Sequence, residues 1–124
     1  MAVKTAEARN DFGEFVREIR RDLSGGDKPI TQERLSELLG VSWSTIARWE
    51  GGQSPDPSMR LKLARLGEVI ELLGDMVHPD DRVLFLEALH PLLLHMRPID
   101  LLETDEGLEA VKKVLEGASS GAFQ

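Results

Sequence analysis

The chain has 124 residues, 41% of them apolar, which is enough for one or two small domains with a hydrophobic core. It contains no cysteine, which excludes disulfides and thiolate metal sites and favours a reducing, cytoplasmic location. The N-terminal residues lack the apolar core of a secretory signal, and no apolar run reaches the roughly 20 residues of a membrane helix. We therefore expect no membrane partner.

The charge of the chain is unevenly distributed. Its formal net charge is −7, which by itself argues against non-specific binding to nucleic acid, a polyanion. Residues 1–60 carry nine Lys/Arg and ten Asp/Glu, whereas residues 61–124 carry six and twelve. This asymmetry predicts two halves with different partners.

Apolar residues at helical spacing predict the first helix, after an N-terminal extension at 1–10. Its stripe consists of Phe12, Phe15, Val16, Ile19 and Leu23. The segment SGGDKP at 24–29 ends it with two glycines and a proline. Since no strand pattern or internal repeat follows, the expected fold class is all-α.

Two short helices joined by a glycine turn come next. Thr31 offers an N-cap to the first helix, which ends at Gly40, where glycine adopts the left-handed conformation cheaply. Ser42 offers an N-cap to the second, which runs to about Glu50. The predicted core residues of the pair are Leu35, Leu38, Leu39, Val41, Ile46 and Trp49.

A longer helix is predicted from Pro57, with Asp56 before it, to about Leu73. Gly74 is its expected end or weak point. The segment HPDD at 78–81 then indicates another helix start.

Residues 83–96 form the most apolar stretch of the chain, with ten apolar residues and one charge, Glu87. Such a stretch must be buried in the core or against a partner. Pro91 is expected to end or kink its helix.

The last segment begins with a connector at 97–102 that contains a short helical turn. Thr104 is expected to cap a final amphipathic helix that Gly117 ends. Its apolar stripe consists of Leu108, Val111, Val114 and Leu115. The tail beyond it is small and polar apart from Phe123.

The residues around the glycine turn match the pattern T-Q-x-x-L-x-x-x-L-G-V-S-x-x-T-I-x-x-W-E-x-G, which starts at Thr31. This pattern resembles the Xre family of helix-turn-helix repressors, the group that includes the lambda-type phage repressors, and the flanking helices extend the match to 11–73. The resemblance implies a lambda-repressor-like bundle whose second motif helix enters the major groove of DNA. It also implies an ion pair between Glu50 and Arg20 or Arg21 of the first helix.

The resemblance implies DNA-binding roles for Gln32, Ser42, Trp43, Ser44, Thr45, Arg48 and Gln53. Gln32 is expected at a phosphate, and Trp43, Ser44 and Arg48 at base-reading positions. Arg48 paired bidentately with a guanine would contribute about 1–3 kcal/mol of discrimination, and Trp43 would press on a thymine methyl. The alternatives are that Trp43 folds back over the first helix and that Arg48 is a solvated surface charge.

Few cations surround this expected reading surface. Arg48 is the only basic residue between Arg34 and Arg60. A single domain would therefore neutralise few phosphates and bind weakly, so we expect at least a dimer.

The C-terminal segment RPIDLLETDEGLEAVKKVLEGASSGAF, residues 97–123, resembles the toxin-binding domain of Xre-MbcA-ParS antitoxins. The matching residues are Pro98, Ile99, Asp100, Leu101, Leu102, Thr104, Gly107, Val111, Val114, Leu115, Gly117, Gly121 and Phe123. The family has an L-G-G stretch before the proline, where this chain has Leu94-His95-Met96. The resemblance implies a RES-domain toxin as partner, an enzyme that degrades NAD⁺ and receives the antitoxin's C-terminal segment in its active-site cleft.

The predicted toxin-binding residues are Asp100, Glu103, Gly117, Ser119, Ser120, Gly121, Ala122, Phe123 and Gln124. The surrounding acid cluster, Asp100, Glu103, Asp105, Glu106 and Glu109, would complement a basic rim on the toxin. The alternative is that this charge run is a solvated helix face.

No enzyme activity, metal or cofactor is predicted. The candidate bases are His78, His90 and His95, and the last two are five residues apart, which is not the helical spacing of a metal pair.

The sequence therefore predicts a helix-turn-helix DNA-binding domain at 11–73 and a small helical toxin-binding and dimerisation domain at 78–124. The predicted protein is a type II antitoxin that neutralises a RES-domain toxin and represses its own operon by binding operator DNA. We expect it to act as a homodimer or a larger toxin–antitoxin hetero-oligomer, with the stretch 83–96 helping to dimerise. The alternative is a freestanding Xre-family repressor whose C-terminal half only dimerises or senses a ligand.

Overall fold

The computed structural model describes residues 12–25 and 28–119, without the side chains of residues 75, 118 and 119. The helices of these residues are α1 (Phe12–Ser24), α2 (Gln32–Leu39), α3 (Trp43–Glu50), α4 (Pro57–Met76), α5 (Arg82–Glu87), α6 (Pro98–Leu101) and α7 (Asp105–Ser119). Two single 3₁₀ turns lie at Pro79–Asp81 and Pro91–Leu93. Across this described part there is no strand, only one isolated bridge between His90 and Met96, and the all-α prediction is confirmed.

The predicted starts of the motif helices are confirmed because each is set by a local hydrogen bond. The side chains of Thr31, Ser42 and Asp56 each accept a hydrogen bond from the backbone N–H three residues later. Gly40 has φ 74° and ends α2, and no atom lies near the position of an added Cβ. The turn therefore needs glycine for its backbone conformation rather than for space.

Two glycines lie inside helices: Gly117, which was predicted to end its helix, and Gly74, which was expected to be an end or a weak point. α4 continues through Gly74 to Met76, and α7 continues through Gly117 to Ser119. Glycine inside a helix costs only about 1 kcal/mol relative to alanine, and the helical hydrogen bonds on either side offset this loss.

Pro91 was expected to end or kink the helix of the stretch 83–96, and the structure shows that the helix ends. α5 ends at Glu87, because the ring of Pro91 would clash with the carbonyl of the residue four before it. Leu94 and His95 then adopt the left-handed conformation, with φ 58° and 59°. Only Val83, Leu86 and Leu93 of this stretch are buried, so most of its apolar surface remains outside the core.

The buried residues form one hydrophobic cluster that runs through both halves of the chain. α4 lies at its centre and contacts both α1 and α7. Ile46 and Trp49 are buried as predicted, whereas Val41 is only partly buried beside this cluster. α4 thus joins the helix-turn-helix to the C-terminal helices, and the division into domains 11–73 and 78–124 stays a prediction.

Candidate DNA-binding and partner-binding surfaces

The helix-turn-helix is held by a close approach between α1 and the end of α3. A Cβ added to the buried Gly13 would lie 3.0 Å from the carbonyl oxygens of Trp49 and Glu50. Since α1 also packs against α4, the orientation of α3 is fixed from its buried side. The opposite face of α3 is left for a ligand.

Glu50 lies at the centre of a polar cluster that joins the three helices of this region. Its carboxylate accepts hydrogen bonds of 2.8 and 3.0 Å from Arg20 and one of 3.0 Å from the Nε2 of Gln32. Arg17 donates to the backbone carbonyl of Glu50 at 2.9 Å. The predicted ion pair is therefore confirmed with Arg20 as the partner, because Arg21 lies on the exposed side of α1.

Trp43 lies on the surface at the start of α3. Its side chain is 55% exposed, and it lines a shallow depression with Thr31, Gln32 and Glu33 of the α2 N-terminus. The structure therefore does not place Trp43 over α1. An exposed indole beside a helix N-terminus can meet both a base edge and a phosphate.

Arg48 is exposed on the same helix, nearly two turns after the N-cap Ser42. Its guanidinium donates to the Oγ1 of Thr45 at 3.2 Å, and Thr45 is linked to Ser42, which also contacts Ser44. The hydrogen bond to Thr45 restricts the Arg48 side chain, and the Ser42 hydroxyl in turn holds that of Thr45.

The remaining predicted DNA-binding residues differ in how exposed their side chains are. Gln53 is exposed, and its backbone N–H donates to the carbonyl of Arg48. Gln32 is partly buried with its amide nitrogen bonded to Glu50. The hydrogen bond to Glu50 therefore fixes the side chain of Gln32 in the depression beside Trp43.

The acidic residues of the C-terminal half contact cations of α4. The Nζ of Lys62 lies 2.8 Å from a carboxylate oxygen of Glu103, and the guanidinium of Arg65 lies 3.0 Å from Asp105. Arg65 also donates to the carbonyls of Leu102 and Glu103. These ion pairs link α4 to the segment that contains Glu103 and Asp105. The two acidic side chains are 61% and 86% exposed, so they also face solvent.

Asp100 is paired locally. Arg97 donates two hydrogen bonds of 2.8 Å to its carboxylate, and these hydrogen bonds lower the pKa of Asp100. The carboxylate is therefore charged near neutral pH and already has a cation beside it.

The other predicted toxin-binding residues lie at or beyond the end of α7. Gly117 is inside the last turns of this helix and Ser119 is its last residue. Ser120, Gly121, Ala122, Phe123 and Gln124 lie outside the described residues.

One contact between the halves escaped sequence analysis. Arg34 of α2 and Glu87 of α5 form two hydrogen bonds of 2.7 Å. These bonds raise the pKa of Arg34 and lower that of Glu87. Since 53 residues separate the two, no local pattern could have indicated the pair.

Two absences hold for the part of the chain that the structure describes. None of its helices has the length and apolar character needed to cross a membrane. It also contains no group of three or more His, Cys, Asp or Glu side chains arranged to hold a metal ion.

Comparison with known proteins gives a consistent result. A helix-turn-helix family model matches residues 30–69. The chain is 31% identical over 94 residues to a probable mycobacterial cidal antitoxin of Mycobacterium tuberculosis, covering 76% of this chain and 80% of that protein. It is 25% identical over 95 residues to the mycobacterial cidal antitoxin MbcA of M. tuberculosis and of Mycobacterium bovis, covering 76% of this chain and 83% of each relative.

The fold is also that of a solved structure. A chain from the crystal structure of the M. tuberculosis MbcT–MbcA toxin–antitoxin complex matches with a TM-score of 0.67 and 21% identity, over 90% of this chain and 96% of that one. With the sequence relatives, this chain therefore belongs to the Xre-MbcA-ParS family of antitoxins predicted from its sequence, with a helix-turn-helix in its N-terminal half.

Proposed function

We propose that this protein neutralises a RES-domain, NAD⁺-degrading toxin by direct binding and represses its own operon by sequence-specific binding to operator DNA. The observation that carries the proposal is the presence of two separate surfaces on one core. One is the exposed face of α3 within the helix-turn-helix, and the other is the acidic surface of an MbcA-like C-terminal half. The fold match to a chain of a toxin–antitoxin complex supports the second role.

The DNA-binding role is supported by how α3 presents its side chains. Ile46 and Trp49 are buried on one side of this helix, and Trp43 and Arg48 are exposed on the other. The arginines near the motif core are already paired, Arg20 with Glu50 and Arg34 with Glu87. Arg48 is thus the exposed cation of α3 that can pair with a guanine edge, and it would contribute specificity rather than bulk affinity.

Electrophoretic mobility shifts with the chain's own promoter test the DNA role. Arg48→Ala should abolish the preference for operator over scrambled DNA, and Trp43→Ala should weaken that preference. Lys113→Ala is the matched control, because it removes one exposed cation from α7, away from the motif. An Arg48→Ala protein with full preference would contradict the assignment of base reading to this residue.

The toxin-binding role is supported by the charge of the C-terminal half. Glu106 is exposed on α7, and Asp105 and Glu109 line the same shallow surface depression. A basic rim around an NAD⁺ phosphate site would be attracted to this surface, which would speed association. The tail beyond α7 is proposed to enter the cleft of the toxin.

Co-expression with the protein encoded by the adjacent gene tests this role. The two should co-purify, and the NAD⁺ content of the cells should be preserved. A chain that stops after Ser119 should still bind through the rest of the C-terminal half but should lose protection. If the shortened chain protects fully, the tail does not plug the cleft; if no toxin binds the full chain, a freestanding repressor becomes the better interpretation.

A further inference from the structure

Two histidines of the C-terminal half have the same structural role. His78 and His90 each precede a proline, and each is the N-cap of the 3₁₀ turn that this proline begins. The ring Nδ1 of each accepts a hydrogen bond of 3.2 Å from the backbone N–H two residues later, that of Asp80 or Leu92. The second of these turns opens the segment 90–96, which we call the His90 turn.

The hydrogen bond at Nδ1 requires a neutral ring. A backbone N–H can only donate, so the nitrogen that faces it must carry a lone pair. A histidine that is protonated on both nitrogens donates from both and cannot make this bond. Histidine ordinarily gains its second proton between about pH 8 and about pH 5. Each cap therefore depends on pH in a range close to neutrality.

His90 is the centre of the hydrogen bonds of its turn. Its backbone N–H donates to the carbonyl of Met96 at 3.1 Å. Its own carbonyl accepts two hydrogen bonds of 2.9 Å, from the N–H groups of Leu93 and His95. Together with the bond from Leu92 to the ring, these contacts make the shape of the turn depend on one residue.

The His90 turn is held against backbone strain. Leu94 and His95 adopt the left-handed conformation, with φ 58° and 59°, although neither is glycine. Such conformations are disfavoured in isolation and persist where the surrounding structure imposes them. Here they are imposed by the hydrogen bonds of His90 and by the buried Leu93, which anchors the turn to the core. Loss of a hydrogen bond at His90 would therefore let the turn relax.

The surroundings of His90 offer no carboxylate to a protonated ring. Phe85 of α5 contacts the ring edge to face, with 6.2 Å between the ring centroids. The titratable groups on the elements around the turn are Arg82 and Glu87 of α5, His95 of the turn itself, Arg97, Asp100 of α6, and Asp105, Glu106, Glu109, Lys112, Lys113 and Glu116 of α7. Within the described part of the chain, no acidic side chain forms an ion pair with His90, and Glu87 is held by Arg34.

His78 has the acidic neighbour that His90 lacks. The carboxylate of Asp80 lies 3.7 Å from its Nδ1. A protonated His78 can therefore exchange its backbone hydrogen bond for an ion pair with this carboxylate. The two turns share the His-Pro pattern but differ in their expected response to acid.

We propose that the His90 turn is a pH-sensitive switch, which is closed while the His90 ring is neutral and opens when the ring is protonated. Opening would release the strained backbone at the tip and rearrange the exposed apolar side chains of the turn, Leu92, Leu94 and Met96. The switch does not rest on the proposed binding of DNA or toxin. It can therefore be measured on the isolated full-length chain.

An NMR titration of the isotope-labelled chain from about pH 8 to about pH 5.5 tests the switch. The amide resonance of Leu92 should move with the same midpoint as the His90 ring. Its hydrogen-exchange protection, corrected for the intrinsic effect of pH, should fall about threefold to tenfold, as expected for the loss of one hydrogen bond. The Cα shifts of Leu94 and His95 should lose their left-handed values over the same range.

Two variants separate His90 from other sources of pH dependence. His90→Asn supplies a side-chain oxygen that accepts the same hydrogen bond but does not titrate, so the turn should stay closed throughout. His95→Asn is the matched control, because it removes the other histidine of the turn at a position whose left-handed conformation Asn tolerates. Leu92 should respond to pH in this control as it does in the wild type. Thermal unfolding at about pH 8 should show that both variants remain folded.

The wild-type titration can decide against the switch by itself. A Leu92 amide that does not follow the titration of the His90 ring would overturn the proposal, whether or not His90→Asn folds. A response that persists in folded His90→Asn, or that disappears in His95→Asn, would also overturn it, because the pH dependence would then belong to another group.

Discussion

The helix-turn-helix and the C-terminal half use the same arginine–glutamate pairing at different depths. Within the helix-turn-helix, the side chains of Arg20 and Glu50 are 16% and 8% exposed. Between the two regions, those of Arg34 and Glu87 are 35% and 24% exposed. Both glutamates accept two hydrogen bonds from their arginine. Because the Arg20–Glu50 pair is more deeply buried, its loss should cost more stability than loss of the Arg34–Glu87 pair, which water can partly replace.

The two regions also differ in the residues that form their left-handed turns. Gly40 takes its left-handed conformation without strain, and the motif around it is satisfied internally. Leu94 and His95 take the same conformation against their intrinsic preference and expose apolar surface. One turn uses glycine for its conformation, whereas the other uses two non-glycine residues and exposes apolar surface.

Glu50→Gln should have the largest effect on stability. The change keeps the shape of the side chain but leaves Arg20 without its counter-charge in a nearly buried place, which should destabilise the fold by about 3 kcal/mol. Urea unfolding measures the change. Glu37→Gln is the control, because Glu37 is 68% exposed in its contact with Arg34 and should change stability by less than about 1 kcal/mol. Equal effects of the two variants would mean that burial does not distinguish them.

Gly107→Ala should have the next largest effect, since it tests a close approach in the C-terminal half. An added Cβ would overlap the carbonyl oxygen of Leu101, so α7 must move and about 2 kcal/mol or more of stability should be lost. Gly40→Ala meets no atom within 4 Å and should lose only the conformational term of about 1 kcal/mol. Thermal unfolding ranks the two, and the opposite order would show that α7 can shift freely.

Glu87→Gln should have the smallest effect and a distinct pH dependence. At neutral pH a partly exposed pair of this kind contributes less than about 1 kcal/mol. Hydrogen bonds from Arg34 lower the pKa of Glu87 below its ordinary value of 4.5, so its contribution is complete above that pH and is lost as the pH falls through the lowered pKa.

Thermal unfolding of wild type and Glu87→Gln between neutral and acid pH measures this contribution. The difference between the two should be constant above about pH 5 and should close under more acidic conditions. Glu116→Gln, on the exposed side of α7, is the control. A gap that widens on acidification would show that the pair does not stabilise the folded state.

The elements that could be predicted are those fixed by neighbours in the chain. Thr31, Gly40 and Ser42 set the limits of the motif helices through bonds that span three or four residues. The burial of Ile46 and Trp49 follows from helical periodicity. The prediction that Gly117 ends its helix was wrong, and the alternatives at Gly74 stayed open, because a glycine can end a helix or continue it and the residues beyond it decide which.

The sequence by itself determined the all-α class, the helix-turn-helix and the excess of acid in the C-terminal half, since periodicity, caps and composition are local properties. Only the tertiary structure decided that Arg20 rather than Arg21 binds Glu50, that Lys62 and Arg65 hold the C-terminal acids, and that Arg34 meets Glu87. It also decided which leucines of the most apolar stretch are buried, Leu86 and Leu93, and which stay outside the core. These outcomes depend on which helices pack together. Contacts between residues far apart in the chain leave no periodic signal in the sequence.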